Sequence, residues 1–209
     1  MNAKKVVIIL GSIIFVTFGA LVSYTFFFQP KKNPLIAKSI LRYRARIVLE
    51  TLKNKDMNML AQYVHPEKGV RFSPYAYVEL QKENDMPANL VFTAEQIKNF
   101  FSIKEPSVWG IYDGSGEPME FVPGEYYEAF VYDHDYMNAP QVGYNEIIGQ
   151  GNTTNNSFEV YPEAIIVEYH FPGFDKQFDG MDWASLRLVF EKFKGTWWLV
   201  GVIHAGWTI

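Results

Sequence analysis

Glu168 and His170 stand two residues apart in the run Phe158–Phe171, whose composition is that of a strand. Side chains two apart on a strand share one face of a sheet, so a carboxylate would lie beside an imidazole. That is the pairing a general base needs. His204, in a second strand-like run, is a further base candidate. The plainer reading is that each is a packed or surface histidine. Neither His65 nor His134 lies at a spacing that marks zinc ligation.

Arg71, Tyr75 and Tyr77 form a second group. On one uninterrupted strand they would share a face with Ser73, and a guanidinium near phenol hydroxyls can hold a carboxylate or phosphate. Pro74 argues for a bend instead. Asp175, Asp179 and Asp182 lie in a glycine-containing loop that repeats the first half of a calcium-binding loop. Leu186 occupies the place where the closing acid would stand, and an acidic surface loop accounts for the same residues. Asp113-Gly-Ser-Gly-Glu117 alternates oxygen side chains with glycine, as a calcium loop or a plain turn between strands does. All five tryptophans fall in the second half of the chain. Trp109 and Trp198 are the candidates for an aromatic ligand-binding wall. Core packing is the competing use of each. No residue pattern implies a cofactor, and the reading assigns no metal site.

The elements that position these residues follow from periodicity. Proline at both ends of Gln29–Pro34 marks a linker. Ile36, Ile40, Tyr43, Ile47, Leu49 and Leu52 recur at mostly three- and four-residue spacing, which predicts a helix. Asp56 can cap a second short helix that His65-Pro66 ends. Thr93-Ala-Glu-Gln96 is a capping box ahead of Ile97. Pro123–Val131 reads as another short helix. Val70–Tyr77, Ser107–Asp113, Val142–Gly149 and Phe158–Phe171 read as strands. The clearest hairpin is Ser185–Phe193, a turn at Lys194-Gly195, and Trp197–Ala205. Leu186, Leu188 and Phe190 alternate there with Arg187 and Glu191, as in a half-buried strand. Helices followed by a long antiparallel sheet make an α+β domain. Gln150–Ser157 reads as a polar loop, and its two Asn-x-Ser/Thr triplets also fit a glycosylation pattern.

Ile47–Pro66, with its Lys53-Asn-Lys-Asp56 turn and His65-Pro66 exit, resembles the opening of NTF2-like (cystatin-like cone) domains. The stretches HPEKGVRFSPYAYV, WGIYDGSGEP and the C-terminal WWLVGVIH resemble uncharacterised membrane-anchored bacterial envelope proteins and lipoproteins. The resemblance covers residues 38–209. It implies N-terminal helices packed on a curved antiparallel sheet, in a fold that hosts both enzymes and non-catalytic modules. The enzymes of that family use a pocket Asp–His or Tyr–Asp pair, which the resemblance assigns to no particular residues here.

Val6–Phe28 holds 23 residues without a charge. At about 1.5 Å per residue a helix of that length crosses the roughly 30 Å of bilayer hydrocarbon. The run exceeds the apolar core of a cleaved signal peptide and ends in Phe26-Phe27-Phe28, where a peptidase needs small residues. The reading is a signal anchor over 1–29, a linker over 30–37 and one domain over 38–209. The basic residues after the run favour a cytoplasmic domain by simple count. The short tail with Lys4 and Lys5 has the form of an anchor whose following domain is exported, and the expectation is an extracytoplasmic domain on a single-pass membrane protein.

Residues 1–46 carry eight basic side chains and no acidic one, whereas 47–209 carry 11 basic against 23 acidic, a net of −12. An acidic domain excludes nucleic acid as a partner. Absence of cysteine excludes disulfide scaffolds, zinc-thiolate sites and thiol catalysis, and suits a bacterial envelope protein. Two functions follow. The first is a non-catalytic, membrane-tethered module that binds an envelope protein, peptide, glycan or small apolar ligand. The second is a cofactor-free isomerase, dehydratase or hydrolase with His170, Glu168 or His204 as base.

Overall fold

The computed structural model describes residues 33–81 and 87–208. The uncharged run Val6–Phe28 lies outside the described residues. Among the described residues no helix is long and apolar enough to cross a membrane.

Helix α1 (Pro34–Lys53) starts where Asn33 accepts hydrogen bonds from the amides of Leu35 and Ile36 and Pro34 fills the first turn. Its buried stripe is Ala37, Leu41, Ala45, Val48, Leu49 and Leu52. Of the stripe expected from sequence, Leu49 and Leu52 are buried, but Ile40 is exposed and Tyr43 is 75% exposed. The small Ala37 and Ala45 face the sheet in their place. Helix α2 (Met57–Ala61) is capped by Asp56, which accepts from the Met59 amide at 2.9 Å. Helix α3 (Ala94–Lys98) carries the reciprocal Thr93–Gln96 capping box, and α4 (Pro123–Phe130) opens on Pro123. A one-turn helix, α5, covers Ser157–Val160.

The described residues also form eight strands: β1 (Val70–Ser73), β2 (Val91–Phe92), β3 (Ser107–Ile111), β4 (Pro118–Phe121), β5 (Gln141–Tyr144), β6 (Ile165–Phe171), β7 (Ala184–Phe193) and β8 (Thr196–Gly206). β3 and β4 form a separate hairpin. The other six make one sheet in the order β2-β1-β8-β7-β6-β5. The expected antiparallel sheet is corrected here, because the sheet is mixed. β1 runs parallel to β8, with Arg71 opposite Gly201 and Ser73 opposite Ile203. These two strands are joined through the whole domain and not through a hairpin, so no turn imposes antiparallel pairing on them. β7 and β8 meet through Lys194 and Gly195, both at positive φ, as a two-residue hairpin turn requires.

Helices α1 to α4 pack on one face of the sheet. Val167, Tyr169, Leu186, Leu188, Phe190 and Val202 meet α1 and a cluster of aromatic rings there. Trp109 stacks on Tyr126 with ring centroids 3.7 Å apart, and Phe72, Phe92 and Phe100 surround it. This interior is filled by side chains.

The opposite face, called the back face below, is also covered. Ile166, Val189 and Ile203 pack there against Val78 and Tyr161. Strand β7 is therefore buried on both faces, although its alternation of apolar and polar residues predicts a half-buried strand. Pro74 ends β1 early, and Ser73 Oγ donates to the carbonyls of Tyr75 and Tyr77, so the chain after Ser73 bends across the back face. Asn156 holds that segment as a strand partner would: its amide oxygen accepts from Val78 N at 2.7 Å and its amide nitrogen donates to Val78 O at 3.0 Å.

Candidate functional site: a cleft on the back face

The back face of the sheet carries a buried polar row. Glu168 and Arg187 sit directly opposite each other on β6 and β7, at 0% and 1% exposure. Arg187 Nη2 donates to Glu168 Oε1 at 3.3 Å and to the Gly149 carbonyl at 2.8 Å. The Glu168 carboxylate also accepts from the amides of Ile148 at 2.9 Å and Gly149 at 3.0 Å. Buried charges need this degree of pairing, because an uncompensated one costs several kcal/mol. The pair thus fastens the loop after β5 to the sheet.

Gly149 is required by that approach. A Cβ at this position would lie 2.5 Å from Trp183 Cζ3 and 2.6 Å from Ser185 Oγ. Gly151 lies against the same indole, where a Cβ would stand 3.0 Å from Cζ2. Asn152 then ties the loop to Thr208, accepting from its amide at 3.3 Å and from its hydroxyl at 2.9 Å.

His170 does share the back face with Glu168, as the two-residue spacing predicts. No dyad forms between them. Glu168 is occupied by Arg187 and two amides, and His170 Nδ1 pairs with Ser185 Oγ at 2.8 Å. Burial pushes the His170 pKa down; Glu168 opposes this and Arg187 adds to it. A buried, neutral imidazole next to a hydroxyl is a packing arrangement here.

His204 lies on the helix side of the sheet near α4. Its Nε2 faces Asp133 Oδ2 at 3.3 Å and its Nδ1 faces the Pro74 carbonyl at 3.1 Å. Tyr136 donates to the other Asp133 oxygen at 2.9 Å. Burial alone would raise the Asp133 pKa, but His204, His134 and the Tyr136 hydroxyl together hold it below the ordinary carboxylate value. Neither Asp133 nor His204 lines any of the four cavities described for this domain. Asp133 went unnoticed in the sequence, since 71 residues separate it from His204 and no spacing rule links them.

Two adjoining cavities occupy the back face. The larger, about 570 Å³, is a groove walled by Tyr75, Tyr77 and Tyr112, with Asn152, Thr153 and Thr154 on its rim. Tyr77 and Tyr112 are exposed. Tyr75 accepts a hydrogen bond from the Asp113 amide at 3.2 Å, which joins the β3–β4 hairpin to the groove. Asp113-Gly-Ser-Gly-Glu117 is the turn of that hairpin: Asp113 Oδ1 accepts from Gly114 N and Ser115 Oγ from Glu117 N. The smaller cavity, about 310 Å³, lies on the other side of Thr153, with Ala76 and Gly149 in its wall beside Trp183 and Arg187.

Of the residues singled out in the sequence, Tyr75 and Tyr77 therefore meet in one groove. Arg71 does not join them. It turns away at the Pro74 bend, donating to the carbonyls of Glu79 at 3.3 Å and Asn89 at 2.7 Å. Trp109 is corrected as a ligand-wall residue, because it is 0% exposed in the core and its Nε1 donates to Phe121 O at 2.9 Å. Trp198 is partly exposed at the far end of the β7–β8 hairpin, where it donates to Phe193 O, and lines none of the four cavities. Trp183, passed over in sequence, is the tryptophan of the cleft.

The acidic loop caps itself. Asp182 Oδ2 accepts from the amides of Phe174 at 3.0 Å and Asp175 at 2.6 Å, and these hydrogen bonds, led by the one from Asp175, lower its pKa. Asp175 accepts from the Gln177 amide and side chain, and Asp179 sits at φ +49° in the turn. Among the described residues no three His, Cys, Asp or Glu side chains are placed to hold a metal ion.

A further depression of about 620 Å³ runs along α1, bordered by Lys38, Arg42 and Arg46 and by Tyr144 of the edge strand β5 and Tyr169 of β6. The three cations follow one another at four-residue intervals, so they form one stripe of the helix.

No family model, curated protein or solved structure matches the chain.

Proposed function

We propose that this protein is a non-catalytic binding module of the cell envelope, tethered to a membrane through Val6–Phe28, with its domain on the extracytoplasmic side. The ligand that suits the back-face cleft best is a neutral, hydroxyl-rich molecule, an envelope glycan. One observation carries the reading. The larger groove offers three tyrosine rings, two of them exposed, beside a rim of amide and hydroxyl side chains. Aromatic faces take the CH surface of a sugar ring, and the tyrosine, amide and hydroxyl groups exchange hydrogen bonds with its hydroxyls. A pocket that is mostly apolar with a few convergent polar groups is the usual form of a ligand site.

Two features speak for binding over catalysis. The interior between helices and sheet is packed with aromatic rings, and the buried Glu168 carboxylate of the back face has its oxygens committed to Arg187 and two amides. The basic stripe Lys38, Arg42 and Arg46 begins ten residues after the uncharged run and suits a position beside anionic head groups.

Calorimetric titration of the full-length chain in mild detergent with neutral oligosaccharides tests the reading. Binding is expected, weakened at least about fivefold by Tyr77→Ala or Tyr112→Ala, the loss of one aromatic contact. Absence of binding, or binding indifferent to both substitutions, overturns it. A reporter fused after Ile209 that is active only in the cytoplasm would refute the proposed side of the membrane.

A further inference from the structure

Three cations of α1 border the depression of about 620 Å³ described above, and all three are exposed. Lys38, Arg42 and Arg46 follow one another at four-residue intervals, where like charges repel. Residues 47–209 hold 23 acidic against 11 basic side chains. Yet among the described residues none of the three cations meets a carboxylate; the acidic groups pair with Lys53, Lys55, Lys68, Lys98, Arg187 and Lys194 instead. The opposite wall is tyrosine. Burial raises the pKa of Tyr144 and of Tyr169; Arg42 opposes the rise at the first and Arg46 at the second, so each guanidinium acts on a phenol hydroxyl across the depression. Two exposed guanidinium forks with a lysine beside them make a seat for phosphate.

The place of the depression in the chain narrows the source of that phosphate. Five residues, Gln29–Asn33, separate Phe28 from the start of α1, a reach of at most about 18 Å. From Pro34 to Arg46 the helix rises about another 18 Å. Upright on its tether, α1 would carry Arg46 away from the membrane. Laid along the surface, it brings all three cations to the head groups. Leu35 and Tyr43 are 78% and 75% exposed on the same helix, and Tyr43 lines the depression. Exposed apolar and aromatic side chains among cations are the composition of a helix that lies in the membrane interface.

We infer that the depression holds the phosphate of an anionic membrane lipid, seated on Arg42 and Arg46 with Lys38 beside it, and that this contact lays α1 along the bilayer. This rests on the tether proposed above and is independent of the glycan cleft. It turns the acidic remainder of the domain away from the anionic surface.

The chain has no cysteine, so Glu50→Cys, on the exposed side of α1 beyond Arg46, accepts a single fluorescent label. The labelled full-length chain is inserted into nanodiscs of phosphatidylcholine, alone or in equal mixture with phosphatidylglycerol, with a nitroxide quencher on the lipid head group. The ratio of docked to free domain, read from the quenching, should be at least about tenfold higher in the anionic discs, since each basic side chain near such a surface contributes about fivefold. In R42Q/R46Q the increase should fall to about threefold or less. Val142→Trp fills the depression from the exposed edge strand and leaves every cation in place, so it should do the same. K98Q/K104Q removes as much charge outside the depression and should keep the increase. Inorganic phosphate added to the neutral discs should leave the label unchanged. Equal quenching in the two discs overturns the inference and leaves the tether standing. So does an increase that survives R42Q/R46Q or Val142→Trp, or one that K98Q/K104Q abolishes. A saturable response to inorganic phosphate makes the free ion the ligand and overturns the lipid. Failure of the chain to enter either disc overturns the tether as well.

Discussion

The Glu168–Arg187 pair makes a quantitative claim about what holds the back face together. Replacing Glu168 with Leu leaves a buried guanidinium that keeps only the Gly149 carbonyl and orphans the amides of Ile148 and Gly149. Replacing Arg187 with Met leaves a buried carboxylate with two amide donors and no counter-charge. Breaking a buried pair from one side costs about 3–5 kcal/mol in either case. For a domain of this size that is a fall in Tm of roughly 6–20 °C. The double variant E168L/R187M removes both charges. Its remaining cost is the two orphaned amides, the Gly149 carbonyl that loses Arg187 and altered packing, about 3–5 kcal/mol, below the roughly 6–10 kcal/mol sum of the single effects. The coupling between the two sites should be at least about 1 kcal/mol in favour of the double variant. Guanidinium unfolding of the full-length chain in detergent, followed by tryptophan fluorescence, measures all three. If the double variant loses the sum of the singles within about 0.5 kcal/mol, the two side chains are independent and the argument for a charge-paired fastening of the loop is wrong.

Gly149→Ala should lower stability by about 1–3 kcal/mol through its clash with Trp183 and Ser185, measured in the same unfolding assay. Trp109→Ala should cost about 3–5 kcal/mol by opening a void beside Tyr126, while a Trp109 that lined a ligand wall would show a smaller stability loss and weaker sugar binding. Burial depresses the pKa of both His65 and His170, and His65 Nδ1 accepts from the amides of Glu67 and Lys68. The folded state then binds fewer protons than the unfolded one, so stability should hold above pH 6.5, the ordinary histidine value, and decline as the pH falls below it. The double variant H65Q/H170Q should flatten that decline in thermal scans between pH 7.5 and 5, and an unchanged slope would refute the assignment. Asp133 acts in a separate window, losing its contribution only below the ordinary carboxylate pKa of 3.8.

Much of the architecture was legible where a local rule decides it. The Thr93–Gln96 box, the Asp56 cap and the Lys194-Gly195 hairpin are set by residues within a few positions of one another, and each forms as its pattern implies. The second half of the α1 stripe, Leu49 and Leu52, follows its pattern, but in the first half Ile40 and Tyr43 outweigh Ala37 and Ala45 in any hydrophobic pattern, while close packing on the sheet selects the small ones. The parallel β1–β8 pairing depends on residues 130 apart and leaves no local trace. Tyr75 and Tyr77 do meet in one groove, whereas the alternation along β7 presents Arg187 as a solvent-facing residue, which it is not. Alternation along β7 distinguishes two faces and cannot reveal that the loop after β5 and the Tyr75–Val78 segment close over the polar one. Trp183 was missed for the same reason, since its role is defined by Gly149 and Gly151 more than thirty residues away.

The parallel seam between β1 and β8 has a consequence for the order in which the protein assembles. β1 emerges early in synthesis, yet its neighbour in the sheet, β8, emerges after every other strand. β2 and β1 can meet first, but they have no sheet to join until β8 has paired with β7. Closure of so long a loop slows folding, and in the interval the apolar edge of β1 is exposed to neighbouring chains. Loss of β8, by truncation or by a stalled ribosome, would therefore release the start of the domain as well as its end. The groove at Tyr75 and Tyr77, which hangs from the last residue of β1, would be lost with it.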